Sequence, residues 1–475
     1  MPDQYDIVKY PNFPRNQTHP AHVAAIATIA GVELPPAGRW RVLEIGCGTA
    51  ANLIPFAHDF PDAEFVGIDR AREPLEEGRA LASDLHLANL KLEQADLLNW
   101  QPTGNFDYII AHGFFSWVPP EVREKIFQVC AQTLTAQGIA FISYNALPGC
   151  HFRRFTRDLL RFHVRHETEP GRRVEKAREF AQIVADMPGD EPLQLGIRHE
   201  FETLLKRDAA ALYHDDLAET NDPFYLLDFV AEAAKHDLQY LGDADPVRDD
   251  LQGQSALAED WIEARQYVDF LTIRRFRETL LCRKGIPIDR KLSLERFRRL
   301  FAACHMKPGE IKEDGTQVFQ FPGSGTLATN HPLARKLLCD LGGIWPHAIQ
   351  LRDFSCDEYT PDSVAEMLMR LFRNKVIELR ALPPNLAASI TERPQISFLA
   401  RAQLARGDTA VTNQRHQYVE LSDKMIRTFL TLLDGSRDRA TLIREMVKFG
   451  SDPESTDSIL NAGLLEMHRM CLLIG

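Results

Sequence analysis

The sequence predicts an α/β chain in three parts: a Rossmann-like domain, a helical middle domain and a C-terminal α+β domain. Three observations support this division. Val42-Leu43-Glu44-Ile45 is an apolar run that ends in an acidic residue and a glycine turn, Gly46-Cys47-Gly48, which opens a helix. Ala63-Glu64-Phe65-Val66-Gly67-Ile68-Asp69 is a second apolar strand ending in a carboxylate, about 20 residues past the turn, as in a βαβ unit. Residues 200–280 then read as helix throughout, and strand candidates return toward the end.

Taken in order, residues 1–40 carry Tyr10-Pro11-Asn12-Phe13-Pro14, Gln17-Thr18-His19-Pro20 and a short apolar helix from Val23 to Ala30. Prolines and aromatics ahead of a ligand-binding strand predict an ordered N-terminal cover, with Tyr10 and His19 packing or capping locally. After the glycine turn come three further strand candidates: Lys91–Leu97, Phe106–Gly113 and Gly138–Tyr144. The turn-rich Tyr144–His151 leads into a helix with Phe152, Phe155, Leu159 and Phe162 at helical spacing. Arg153, Arg154, Arg157, Arg161 and Arg165 take the remaining positions. They read as a solvated basic face, or else as a docking face for an acidic partner or second subunit.

Pro170–Asp190 is charge-rich and helical, and Asn221-Asp222-Pro223 caps a helix beginning near Phe224. Gly285-Ile286-Pro287-Ile288 breaks the helical text, and Thr316–Phe321 is strand-like. Near the end, Ser422 reads as the N-cap of a helix over 423–433 stopped by Gly435, with a second helix from Asp438. With strand candidates at Val376–Leu379 and Tyr418–Leu421, this is a winged-helix-like module, used for DNA binding or as a scaffold. The mixed charges of Arg437–Glu445 favour a scaffold. The expected domains are 1–165, 166–330 and 331–475.

Composition excludes several classes. Of 475 residues, 44 % are hydrophobic and 26 % charged, ordinary values for globular domains. The eight cysteines are scattered without a Cys-X-X-Cys pair, which argues against a zinc site or a disulfide framework. Met1-Pro2-Asp3-Gln4-Tyr5-Asp6 shows no signal-peptide pattern and no 18-residue apolar run exists. A cytoplasmic protein without a membrane span is therefore expected. The net charge of −12 disfavours broad nucleic-acid binding.

The chemistry rests on the carboxylates. Glycines let the backbone approach a ligand that a Cβ would exclude, and Asp69 stands where it can accept ribose hydroxyls. A pyrophosphate does not suit the turn, because Glu44 precedes it and Ala51 replaces the third glycine of a dinucleotide fingerprint. A carboxylate there suits an ammonium or sulfonium ligand. S-adenosylmethionine carries both groups and no phosphate. Glu44-Ile45-Gly46-Cys47-Gly48 resembles the first motif of class I S-adenosylmethionine-dependent methyltransferases, with Asp69 as their ribose acid and Asp96 beside the adenine. The expected cofactor residues are Glu44, Gly46, Cys47, Gly48, Asn52, Asp69, Arg70, Asp96, Leu97 and His112.

The acceptor would approach at His112-Gly113-Phe114-Phe115-Ser116-Trp117-Val118-Pro119-Pro120 and Tyr144-Asn145. Methyl transfer asks for alignment and desolvation around a neutral nucleophile. Aromatic faces hold ammonium groups at about 0.5–2 kcal/mol each. His112, Phe115, Trp117, Tyr144 and Asn145 are the expected acceptor-side residues, with His112 or Tyr144 open as proton acceptor. Phe115-Ser116-Trp117-Val118-Pro119-Pro120 differs from the Asp/Asn-Pro-Pro-aromatic pattern of nucleobase methyltransferases, which disfavours a base as substrate.

Tyr10-Pro11, Gln17-Thr18-His19-Pro20, His112-Gly113, Ser116-Trp117-Val118-Pro119, Ser143-Tyr144-Asn145, Pro148-Gly149 and His151 together resemble a narrower group. So do Tyr213–Asp216, Asn221-Asp222-Pro223, Thr412-Asn413-Gln414-Arg415-His416 and Leu433–Arg439. The group is the bacterial methyltransferases with a methyltransferase regulatory domain, which includes the rickettsial protein-lysine methyltransferases. The chain departs from it at Phe114-Phe115 and at Cys150. The resemblance implies methylation of lysine ε-amines in a protein, and a homodimer. The rival readings are a small-molecule methyltransferase, marked by a deep closed pocket, and a cofactor-sensing regulator that binds DNA or a partner.

Overall fold

The structure, a computed structural model, describes residues 4–33, 38–245, 258–291, 293–323, 325–449 and 452–475. Met1-Pro2-Asp3, read above for targeting signals, lies outside them. A seven-stranded sheet organises the first two-thirds of the chain. Its strands are β1 (Arg41–Ile45), β2 (Glu64–Asp69), β3 (Leu90–Gln94), β4 (Phe106–Ala111), β5 (Leu134–Asn145), β6 (Leu238–Asp243) and β7 (Phe276–Arg283). The order is β3-β2-β1-β4-β5-β7-β6. The strands from β3 through β5 run parallel, and β7 is antiparallel to both its neighbours. The order reverses between β1 and β4, which opens a crevice beyond their carboxyl ends.

Apolar runs on both faces explain why β1, β4 and β5 are central. Val42, Tyr108, Ile110, Ile139 and Phe141 face one core, shared with the helix Pro20–Ile29. Leu43, Ile109, Ala140 and Ile142 face the other, with Phe127 and Phe229. The all-helical reading of 200–280 is thus corrected, since β6 and β7 fall inside or across it. Arg277 sits near the start of β7, fully buried, with Asp269 and Asp243 each 2.8 Å from its guanidinium. The boundary expected at 165 does not divide the sheet from a second domain, because β6 and β7 lie beyond it.

Between β5 and β6 lie the helices Cys150–His163, Pro170–Ala185 and Pro192–Leu205, and a short turn of helix at Leu212–Asp216. The first presents its faces opposite to expectation. Phe152, Phe155 and Phe162 are exposed, whereas Arg157 is only 4 % exposed. Its guanidinium donates to the carbonyls of Asp215 and Ala218, and Arg153 pairs with Asp216 at 3.2 Å. Arg153 and Arg157 face inward because the Tyr213–Asp216 segment supplies acceptors there, whereas Arg154 and Arg165 remain exposed. The helix expected near Phe224 starts at Leu226.

The boundary expected at 330 also crosses a core. Phe297, Leu300, Ala302 and Phe319 pack with Leu333, Leu337, Leu341, Leu368 and Leu379. A separate core joins Ile396, Leu404, Val411, Leu430, Leu442, Leu460 and Leu464. That last unit is the winged-helix one: the helices Phe398–Ala405, Lys424–Leu430, Arg439–Lys448 and Thr456–Arg469 surround the hairpin Ala410–Thr412/Tyr418–Glu420. Asp423, rather than Ser422, caps the second of these helices, and Asp438 caps the third. Among the described residues no helix is long and apolar enough to cross a membrane.

Removing one partner of a buried ion pair strands the others in a low dielectric, at about 3–5 kcal/mol. Arg277→Met should lower unfolding free energy by that amount in urea titrations. A loss below about 1 kcal/mol would show that the Asp243–Arg277–Asp269 cluster does not hold β7 in the sheet.

Candidate active site

The crevice is built around one amide. Asn52 stands at the N-cap of the helix Leu53–Asp59, yet its side chain caps nothing there. Its Oδ1 accepts the backbone N–H of Arg15 at 3.0 Å. That fixes the amide orientation, so Nδ2 donates to Thr18 Oγ1 at 3.0 Å and to Glu44 Oε1 at 2.9 Å. The N-terminal cover is thereby stitched to β1, and Asn12 Nδ2 adds a bond to the Cys47 carbonyl at 3.2 Å. The far end of the cover is held as well. Tyr5 stacks on His214 at 4.3 Å, and His214 Nε2 bonds the Val8 carbonyl at 2.6 Å. Tyr10 donates to Asp215 at 3.4 Å.

Glu44 is 5 % exposed, and its second oxygen, Oε2, has no hydrogen-bond partner among the described residues. Burial pushes its carboxyl up to about 8, with Asp69 adding to the rise and Asn52 opposing it. Asp69, at the end of β2, accepts the Gly48 N–H on Oδ2 at 2.8 Å and the Ala71 N–H on Oδ1 at 2.9 Å. Gly46 and Gly48 are left-handed, with φ of +74° and +54°. A Cβ would stand 2.4 Å from the Phe114 ring at the first and 2.2 Å from Asn12 Nδ2 at the second.

A carboxylate oxygen without a partner among the described residues, a turn with two glycines and a second carboxylate at the next strand end fit S-adenosylmethionine. Glu44 would take its ammonium and Asp69 its ribose hydroxyls. Cys47 offers only its backbone, for its buried thiol faces Gly67. Arg70 and Asp96 are exposed at the rim. Asp96 Oδ1 turns the chain by accepting the Leu98 N–H at 3.0 Å, while Leu97 packs into the core below.

The acceptor side differs from the expectation in three places. Tyr144 is fully buried, stacked on Phe229 at 4.2 Å, and its hydroxyl receives a hydrogen bond from Thr279. Phe115 packs between Phe127, Phe224 and Phe229. Both are core residues, because the face of β5 that carries Tyr144 is the one covered by Phe229. Asn145 is buried too, donating to Asn221 Oδ1 at 2.6 Å and so tying β5 to the inserted segment.

His112 and Trp117 do reach the crevice region, each partly exposed. Ser143 Oγ accepts the Gly113 N–H at 2.7 Å and lies 3.2 Å from His112 Nδ1. The direction of that second bond follows the imidazole tautomer, since the hydroxyl can still either donate or accept. Burial, with the Arg15 charge, lowers His112 to about 3, so it stays neutral and is a weak proton acceptor. Asn12, Thr18 and Ser143 stand in the sequence reading only as members of motifs. Nothing in local spacing shows which distant atoms they meet.

Asp69→Ala removes the ribose acceptor and frees the Gly48 turn. It should weaken binding of S-adenosylhomocysteine, which keeps the ribose and ammonium, by about 1–3 kcal/mol in calorimetry. Glu44 must ionise to take a cation. Affinity should therefore rise about tenfold per pH unit from 6 toward 8 and level above it. Glu44→Gln should remove that slope; a slope unchanged in the variant would exclude Glu44 as its source.

Comparison with known proteins identifies the family. Residues 42–138 match the methyltransferase domain family, 208–283 the predicted methyltransferase regulatory domain, and 392–456 the PKMT C-terminal winged helix domain. The protein RP789 of Rickettsia prowazekii (strain Madrid E) is 31 % identical over 441 residues, spanning 88 % of this chain and 75 % of that protein. RP028 of the same organism is 31 % identical over 240 residues, covering 50 % of this chain and 96 % of its own length. The solved structure of PKMT2 from Rickettsia typhi, in complex with AdoHcy, superposes with a TM-score of 0.86 at 26 % identity, covering 98 % of this chain and all of that one. The chain belongs to this family of S-adenosylmethionine-dependent methyltransferases, which pair a methyltransferase domain with a regulatory domain and a PKMT winged-helix domain.

Proposed function

We propose that the chain methylates lysine ε-amines of a protein substrate. The observation that carries this reading is a cleft of about 1550 Å³ beside the cofactor crevice. Arg70, Gln94 and Trp117 line its inner side, and Arg173, Tyr213 and Glu219 of the inserted segment its outer side. Small-molecule sites are smaller, about 300–1,000 Å³, and enclose their ligand. A cleft of this size and openness suits a length of polypeptide. The likeness to PKMT2 supports the same class of acceptor.

The bound cofactor supplies an electrophilic methyl group on a sulfonium. The chain has to present a neutral amine in line with it and keep further positive charge away. A neutral His112 serves that end, since an imidazolium would repel an arriving ammonium. Trp117 offers an aromatic face at the rim, and Asp6, Glu73 and Glu219 add carboxylates along the cleft. With His112 a weak base and Tyr144 sealed in the core, the amine's proton leaves to water. The exposed Phe152, Phe155 and Phe162 give a homodimer apolar surface to use.

Incubation with radiolabelled S-adenosylmethionine and bacterial lysate, split into protease-treated and nuclease-treated portions, tests the reading. Label lost to protease and recovered as methyl-lysine is the expected result. Label confined to the low-molecular-weight fraction would instead establish a small-molecule acceptor.

A further inference from the structure

The amide of Asn52 has one more partner, and it comes from the opposite end of the chain. His416 Nε2 lies 3.1 Å from Asn52 Oδ1 across 364 positions of sequence. Its ring stacks on Phe56 at 4.0 Å with planes 7° apart, and meets the edge of His19 at 5.6 Å. His416 is 3 % exposed. Because Oδ1 already accepts from a backbone N–H, it has a lone pair and no proton to offer. His416 must therefore donate, as an Nε2–H tautomer. Burial keeps the imidazole neutral, with the Arg380 charge acting the same way.

With that bond, all four positions of the Asn52 amide are used: two donors to Thr18 and Glu44, two acceptor sites to Arg15 and His416. The loop that delivers His416 is itself held. Its φ is +61°, unusual for a residue with a Cβ. Arg415 donates its backbone N–H to Asn413 Oδ1 at 2.9 Å and its guanidinium to the Pro346 carbonyl at 2.7 Å. It also pairs with Glu378 and lies over the Trp345 ring at 4.4 Å. Gln414 N–H reaches the Cys471 carbonyl at 2.9 Å. The loop is thus anchored to the C-terminal units on every side except the one that meets Asn52.

We propose that His416 is a positioning residue for the cofactor: through Asn52 it holds Glu44 in its binding orientation, so cofactor binding and seating of the C-terminal hairpin strengthen each other. Without the His416 donor, Asn52 keeps a single acceptor bond and can turn away from Glu44. That would deprive the carboxylate of the hydrogen bond from Asn52. Coupling of this kind is reciprocal by necessity. The inference rests on the cofactor assignment alone and is independent of the acceptor.

The test uses the full chain and S-adenosylhomocysteine as probe. His416→Phe keeps a ring to stack on Phe56 but removes the donor, while His416→Gln restores an N–H at similar reach. The expected result is a Kd raised about 5- to 10-fold in His416→Phe and returned to within about twofold in His416→Gln. Thermal unfolding checks that both variants fold. In the unmodified protein, saturating probe should slow hydrogen exchange of the 413–416 amides. Wild-type affinity in His416→Phe would overturn the proposal. If that variant does not fold, unchanged exchange at 413–416 on adding probe overturns it instead.

Discussion

Everything around the cofactor crevice answers to one constraint: a carboxylate, Glu44, is buried before any cation is present to neutralise it. Moving an ion into a protein interior costs several kcal/mol even after relaxation. The chain meets the problem by letting Glu44 rise toward the neutral form and by giving one of its oxygens a single donor, from Asn52. The other oxygen stays open. The donor in turn must be fixed, and fixing it recruits segments that share nothing in sequence. The N-terminal cover crosses the start of the first sheet helix because Arg15 and Thr18 are needed there.

Buried arginines do comparable work wherever two segments join. Arg157 and Arg153 hold the inserted helices to Asp215 and Asp216, and Arg277 fastens β7 to β6 and to the helix before it. Arg380 and Arg415 share Glu378 between the sheet near residue 300 and the winged-helix unit. Guanidinium groups suit this because several fixed donors face in different directions. Such pairs specify arrangement more than they add stability, and replacement by apolar residues of similar volume is often neutral. Here each one marks a seam between parts of the chain.

Much of the fold and of the cofactor site was legible in the sequence, for identifiable reasons. The strands β1, β2 and β4 are apolar runs ending at a glycine, a carboxylate and a histidine, and β5 is an apolar run ending at Tyr144-Asn145, so period and chemistry agreed. The candidate cofactor residues were read at the ends of those strands and in the turn after β1. The strand β7 was hidden because Arg277 and Glu278 stand near its start, and charge in a strand reads as surface until Asp243 and Asp269 are known to lie beside it. The helix after β5 was read with its faces reversed for the same cause. Phe115 and Tyr144 were placed at the acceptor because an aromatic beside a crevice and an aromatic in a core look alike. His416 lay within a recognisable motif, but its partner is reached only by folding three units together.

The order of strands along the chain also bears on how the protein is made. The sheet's β5 edge waits for β7, which arrives only after the whole helical insertion. At synthesis rates of about 5–20 residues per second, the gap from residue 145 to 283 lasts roughly 7–28 s. For that time the nascent chain carries an apolar strand with an open row of hydrogen-bonding groups, the kind of edge on which other strands add. The edge is closed only when β7 pairs with β5 from Ile139 to Asn145, after the inserted helices have been made.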